Sequence, residues 1–183
     1  KVGTLPGGSG GGSMGGGSTG SGVLTSYTGG FNAAAARINF VTTLRLSNGN
    51  VLPGSEIGFD ALAYTLRSDG GLLSYTRAGN VTRTPGTMTV SDVAGDADVL
   101  VGRWSDGTNT GANVFALNAN QGFQYMLARA LPTDFAAPTS GTVQYDLLAA
   151  TKPTWVDGSG APGTFTGSFK IDFTAVARKV GME

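Results

Sequence analysis

Histidine and cysteine are both missing from this chain of 183 residues. Without histidine there is no Ser-His-Asp triad, no imidazole metal ligand and no side chain whose ordinary pKa suits it to general-base work near neutrality. Without cysteine there are no disulfides, thiolate metal sites, haem thioether links or thiol nucleophiles. Charge is thin as well: 13% of residues are Asp, Glu, Lys or Arg, and 12 cations balance 12 anions. A neutral chain has no cationic surface with which to hold a phosphate backbone or an anionic leaflet, so nucleic acid and lipid headgroups are not expected partners. No apolar run reaches the roughly 20 residues that a membrane-spanning helix needs. No catalytic residue, no cofactor and no enzymatic activity are therefore expected.

What the chain does have is glycine, 31 residues of it, with many Thr, Ser, Ala and Asn and few charged helix formers. That composition fits an exported protein of the cell surface, extracellular space or periplasm, and an all-β class. The start, Lys1-Val2-Gly3, has neither an initiator Met nor a signal sequence, and the chain reads as processed or as a piece of a longer protein that continues past Glu183. Residues 1–22 are nearly all Gly and Ser from Gly7 onward and read as a Gly/Ser-rich arm or linker, because such a stretch lacks the apolar area to offset its ordering entropy. Residues 23–183 are expected to form a single β-domain, truncated at its C-terminus.

From Gly22 onward the apolar period is two, in segment after segment between Gly, Asn, Asp and Pro punctuation. Ile38, Phe40, Leu44 and Leu46 precede an Asn48-Gly49 turn. Leu62, Tyr64 and Leu66 alternate with polar or small residues before Asp69-Gly70-Gly71, across which Leu72 to Arg77 is expected to pair. Val99 to Ser105 meets a second turn at Asp106-Gly107, Val114 to Leu117 returns beside it, and Phe123, Tyr125 and Leu127 head the next strand. Val143, Tyr145 and Leu147 share a face, as do Phe165, Phe169, Ile171 and Phe173. Only Phe31 to Ala36 and Thr133 to Ala137 invite a short helical turn. The pattern predicts an antiparallel up-and-down β-barrel or sandwich of roughly eight to ten strands. Phe40, Leu44, Tyr64, Leu66, Val90, Phe165, Phe169 and Ile171 are expected to converge on one core.

Candidate sites are few. Gly7-Gly8-Ser9-Gly10-Gly11 matches a nucleophile elbow formally but lacks the strand-turn-helix setting the motif requires. Asp92, Asp96 and Asp98 are close enough in sequence to suggest a carboxylate pair or a weak calcium contact, yet their Gly/Asp-rich segment reads first as a solvated turn. Trp104 and Trp155 are the possible ligand contacts, with Trp104 also placed to cap the core and Trp155 in a loop, Lys152 to Gly158. Val23, Leu24 and Tyr27 can pair as a strand beyond the glycine arm and are the expected assembly contacts.

The segments Val101-Gly102-Arg103-Trp104-Ser105-Asp106-Gly107-Thr108, Gln121 to Tyr125, Tyr145 to Thr154 and Pro162 to Ser168 resemble the C-terminal β-rich region of alphaproteobacterial FecR-domain-containing exported proteins. The likeness spans most of Leu62 to Phe173. A more distant one, carried by the glycine-rich start and by Gly163-Thr164-Phe165-Thr166-Gly167-Ser168-Phe169, is to transferrin-binding-protein-like surface β-barrels. These resemblances imply an exported bacterial location and a barrel architecture, and transfer no catalytic or ligand-binding residue.

Two functions fit. One is a structural or assembly protein, such as a surface filament or coat subunit that self-associates through a sheet edge or its N-terminal arm. The other is a surface or periplasmic β-barrel binding module for a small ligand, a glycan or a host protein.

Overall fold

The computed structural model describes residues 23–31, 36–39, 44–45, 51–52, 63–77, 81–111, 114–129, 136, 138–174 and 179–182. Among these all regular structure is extended, with no helix. The strands are β1 (Ala36–Asn39), β2 (Leu44–Arg45), β3 (Val51–Leu52), β4 (Ala63–Leu66), β5 (Leu72–Arg77), β6 (Val81–Thr84), β7 (Thr89–Gly95), β8 (Val99–Ser105), β9 (Gly107–Thr108), β10 (Thr110–Gly111), β11 (Ala116–Leu117), β12 (Phe123–Arg129), β13 (Thr142–Asp146), β14 (Ser168–Asp172) and β15 (Lys179–Met182). Every ladder between them is antiparallel. The helical turns expected near Phe31 to Ala36 and Thr133 to Ala137 fall largely outside the described residues.

Two compact units divide the chain. The larger takes Leu24–Ala130 and Ala149–Phe165, and contains two four-stranded sheets ordered β1-β12-β8-β7 and β10-β6-β5-β4, with the short pairs β11-β9 and β2-β3. Both sheets contribute to one core of Leu72, Tyr75, Met88, Leu100, Trp104, Phe115, Leu117, Phe123, Tyr125 and Leu127. Strand β12 shows why: Phe123, Tyr125 and Leu127 are buried at every second position, as the period-two pattern requires. The expected up-and-down barrel does not form among the described residues. Closure needs each strand bonded on both sides, whereas β1 and β7 end one sheet and β10 and β4 the other.

Two bulges shape the core. Between β4 and β5, Leu66 pairs with Leu72 where Thr65 pairs with Ser74, so Leu73 is the extra residue. The shift turns both polar groups of the Leu72 backbone into the core. Its N–H donates to Tyr125 Oη at 3.0 Å and its carbonyl accepts from Trp104 Nε1 at 2.8 Å, so two aromatic rings from the first sheet are bonded to the backbone of the second. In β7 the register slips by one residue between Ser91 and Ala94, with Asp92 in the left-handed region at φ +54°. The Asp69-Gly70-Gly71 turn forms as expected. Gly70 takes φ +83°, its N–H donates to the Arg67 carbonyl at 3.0 Å, and the Asp69 carboxylate accepts from Gly71 N–H at 3.0 Å. The Arg67 guanidinium, hydrogen-bonded to Asp69, holds that carboxyl below its usual range, although solvent exposure makes the pair of little consequence for stability.

The smaller unit takes Lys1–Val23, Leu131–Leu148 and Thr166–Glu183 and contains the three-stranded sheet β13-β14-β15. Val143 is buried, and Tyr145 stacks on its cross-strand partner Phe169 with ring centroids 4.8 Å apart and planes 10° from parallel. Here the expected core is corrected. Phe169 is 39% exposed and Phe165, 53% exposed, precedes β14 rather than lying in it, while Ile171 is half-buried. Val143 and Ile171, a cross-strand pair on the same face, are buried and half-buried, so Phe169 stands at the more exposed end of that face and is a cross-strand contact worth about 0.5–1.5 kcal/mol. Tyr64, Leu66 and Val90 do pack against the core of the larger unit, as expected. The side chains of Phe40 and Leu44 lie outside the described residues.

Candidate functional site

The expected assembly contacts are mostly engaged by their own chain. Val23 is 46% exposed, but Leu24 forms a parallel bridge to Ala149 and Tyr27 a parallel bridge to Gly95 at the end of β7. The Gly95 carbonyl accepts from Thr28 N–H at 3.0 Å, and Gly95 N–H donates to Ser26 O at 3.4 Å. Tyr27 packs against the core, its hydroxyl accepting from Phe31 N–H at 2.7 Å. The arm itself, residues 1–22, lies outside the described residues.

The two tryptophans, offered together as ligand contacts, part company. Trp104 has no exposed surface. It stacks on Phe123 at 5.0 Å and lies 6.2 Å from Tyr75 and 6.3 Å from Tyr125, so it belongs to the core and presents no face to a ligand. On β8 it pairs with Phe123 of β12 in its own sheet, and its Nε1 reaches the Leu72 carbonyl of β5 in the other. Trp155 is the reverse, 63% exposed in the loop from Lys152 to Gly163.

That loop is held by its own turn and by the Asn118 to Gln124 segment. Gly158 N–H donates to Trp155 O at 3.1 Å, and Gly163 N–H to Pro153 O at 2.9 Å. From the other side Gln121 Nε2 donates to Val156 O at 2.7 Å, Asn120 Nδ2 to Gly158 O at 3.2 Å, and Gln124 Nε2 to Thr154 Oγ1 at 3.1 Å. The sequence marked Trp155 but not these three amides. Asn118-Ala119-Asn120-Gln121 reads as an ordinary turn, and nothing local in it or at Gln124 shows that the amides reach a loop 30 to 38 residues away.

The three neighbouring aspartates do not act together. Asp92 Oδ2 accepts from Arg103 Nε at 2.7 Å in a pair whose side chains are both nearly buried, and also from Lys152 N–H at 3.3 Å. Asp96 Oδ1 accepts from the N–H groups of Asp98 and Val99, closing the turn between β7 and β8, and Asp98 pairs with Arg129 at 3.0 Å. Each carboxylate thus has a structural partner. Among the described residues no cluster of three or more acidic side chains is arranged to hold a metal ion.

Two polar groups sit deep in the aromatic core. The Arg83 guanidinium is 5.6 Å from the ring centroids of Phe115 and Phe123 and 5.8 Å from that of Tyr75, and its Nη1 donates to Tyr75 Oη at 2.9 Å. Aromatic faces stabilise the cation electrostatically. Burial pushes the Tyr125 hydroxyl up to about 12 from 10.0. An unfolded tyrosine therefore loses its proton at lower pH than the folded one, so this contribution is complete below about pH 10 and disappears as pH rises through about 12. Urea denaturation is expected to show stability falling by about 2–3 kcal/mol across that window beyond any fall in Tyr125→Phe. Equal slopes for the two proteins would contradict the assignment.

Comparisons with protein-family models, with curated proteins and with solved structures return no match.

Proposed function

We propose that this chain is a non-enzymatic, exported structural protein, a subunit of a bacterial-type surface filament or coat built on a two-sheet β-sandwich. The observation that carries the reading is the outer edge of β7. This strand ends its sheet, and the segment from Ser26 to Thr28 comes alongside it in parallel and stops after bonding to Gly95. A short segment held by so few backbone bonds, following a Gly/Ser arm of 22 residues, is an element that a neighbouring copy can replace with its own. Exchange satisfies the same N–H and C=O groups between chains, and removes an exposed edge that otherwise invites disordered aggregation. Low charge and the lack of histidine and cysteine support a structural role, and the resemblance to exported bacterial β-proteins supports the location.

The test compares the full chain with versions starting at Val23 and at Gly29, by light scattering after size exclusion and by electron microscopy. The full chain is expected to form ordered oligomers or filaments, and both shortened chains to stay folded, by circular dichroism, but monomeric. A full-length protein that is monomeric at all concentrations, or assembly unchanged by either deletion, would overturn the proposal.

A further inference from the structure

The geometry points to a binding site for a neutral saccharide at the Trp155 loop, a role independent of assembly. Trp155 is 63% exposed, with Val156, 38% exposed, next to it in the loop, which leaves aromatic surface open to a ligand. The loop is held in place without it. Backbone bonds at Gly158 and Gly163 close it, and Gln121, Asn120 and Gln124 anchor Val156, Gly158 and Thr154. Part of the indole lies against Gly160. Gly160 lies so close to its Nε1 and Cδ1 that a Cβ at that position would stand 2.7 and 2.8 Å from them, room that only glycine leaves. A ligand that lands here meets a loop that is already held, and incurs little cost in ordering its backbone.

The surroundings select the ligand class. A sugar ring presents a patch of C–H bonds of about the size of an indole, weakly positive where the aromatic face is negative, and is bordered by hydroxyls. The loop residues beside Trp155 mix polar and apolar side chains: Thr154, Asp157 and Ser159 with Pro153 and Val156, and the exposed Asn118, whose side chain lies against Gly158, adds an amide. One cation, Lys152, and one anion, Asp157, occupy the loop, giving no preference for a charged ligand. A protein partner is disfavoured by scale, since a stable interface needs about 800 Å² from each side around an apolar centre, and this loop offers one aromatic ring, one valine, one alanine and two prolines.

The two tryptophans make the test direct, because Trp104 is fully buried and Trp155 is not. Acrylamide is expected to quench the Trp155 component of the emission in the full chain and to find no such component in Trp155→Ala. Titration with cellohexaose, maltohexaose, mannohexaose and chitohexaose is expected to change that emission saturably for at least one of them, with a dissociation constant of about 1 mM or tighter. Trp155→Ala should weaken binding about tenfold or more, measured by calorimetry, and Gln121→Ala should weaken it by loosening the loop, both with unchanged thermal midpoints. The proposal is overturned if none of the four sugars binds, if Trp155→Ala binds undiminished, or if acrylamide cannot reach Trp155 because another surface covers it.

Discussion

Trp104→Ala is expected to destabilise the larger unit by about 3–5 kcal/mol, a large part of the 5–15 kcal/mol typical of a whole domain. The ring is fully buried between Phe123, Tyr75 and Tyr125, all of which lose a contact at once. The substitution also leaves the Leu72 carbonyl without its donor inside the core, because the bulge at Leu73 has turned that group away from the ladder. Trp104→Phe separates the two effects: it keeps most of the packing and loses the hydrogen bond, and should cost roughly 1–3 kcal/mol. Urea denaturation followed by circular dichroism measures both. A cost below about 1 kcal/mol for the alanine variant would show that Trp104 is not where the two sheets meet.

Gly102→Ala, the addition of a single methyl group, is expected to cost about 3 kcal/mol, the upper end for overpacking. Gly102 of β8 pairs directly with Tyr125 of β12, and the tyrosine ring lies across the glycine. An added Cβ would stand inside the van der Waals envelope of Tyr125 Oη and Cζ. The ring has no easy escape, since its hydroxyl accepts from Leu72 N–H and its flank meets Trp104. Space, not backbone conformation, is the reason for glycine here. The double variant Gly102→Ala with Tyr125→Leu should recover part of the loss, whereas purely additive effects would argue against direct contact.

A good part of this fold was legible beforehand. The turn at Asp69-Gly70-Gly71 and the strands on either side of it, and the alternating burial of Phe123, Tyr125 and Leu127, follow from residue types a few positions apart. The candidate site was half legible: Trp155 could be placed in a loop, but the amides of Asn120, Gln121 and Gln124 that hold the loop could not be linked to it. Phe169 and Trp104 show the same limit from opposite sides. Both lie on apolar faces of well-patterned strands, yet one is partly exposed and the other has no exposed surface.

By itself the sequence determined the all-β class, the positions of several turns and the residue types on each strand face, together with the chemistries that a chain without histidine or cysteine cannot perform. These are local or compositional properties, set by the period of the pleat and by which side chains exist at all. The tertiary structure alone decided which apolar faces are covered, where a bulge turns Leu72 or Asp92 off the ladder, and which carboxylate meets which arginine. A strand has two faces, and a one-residue slip exchanges them. Which face is then buried depends on a second sheet whose approach is set by contacts distant along the chain.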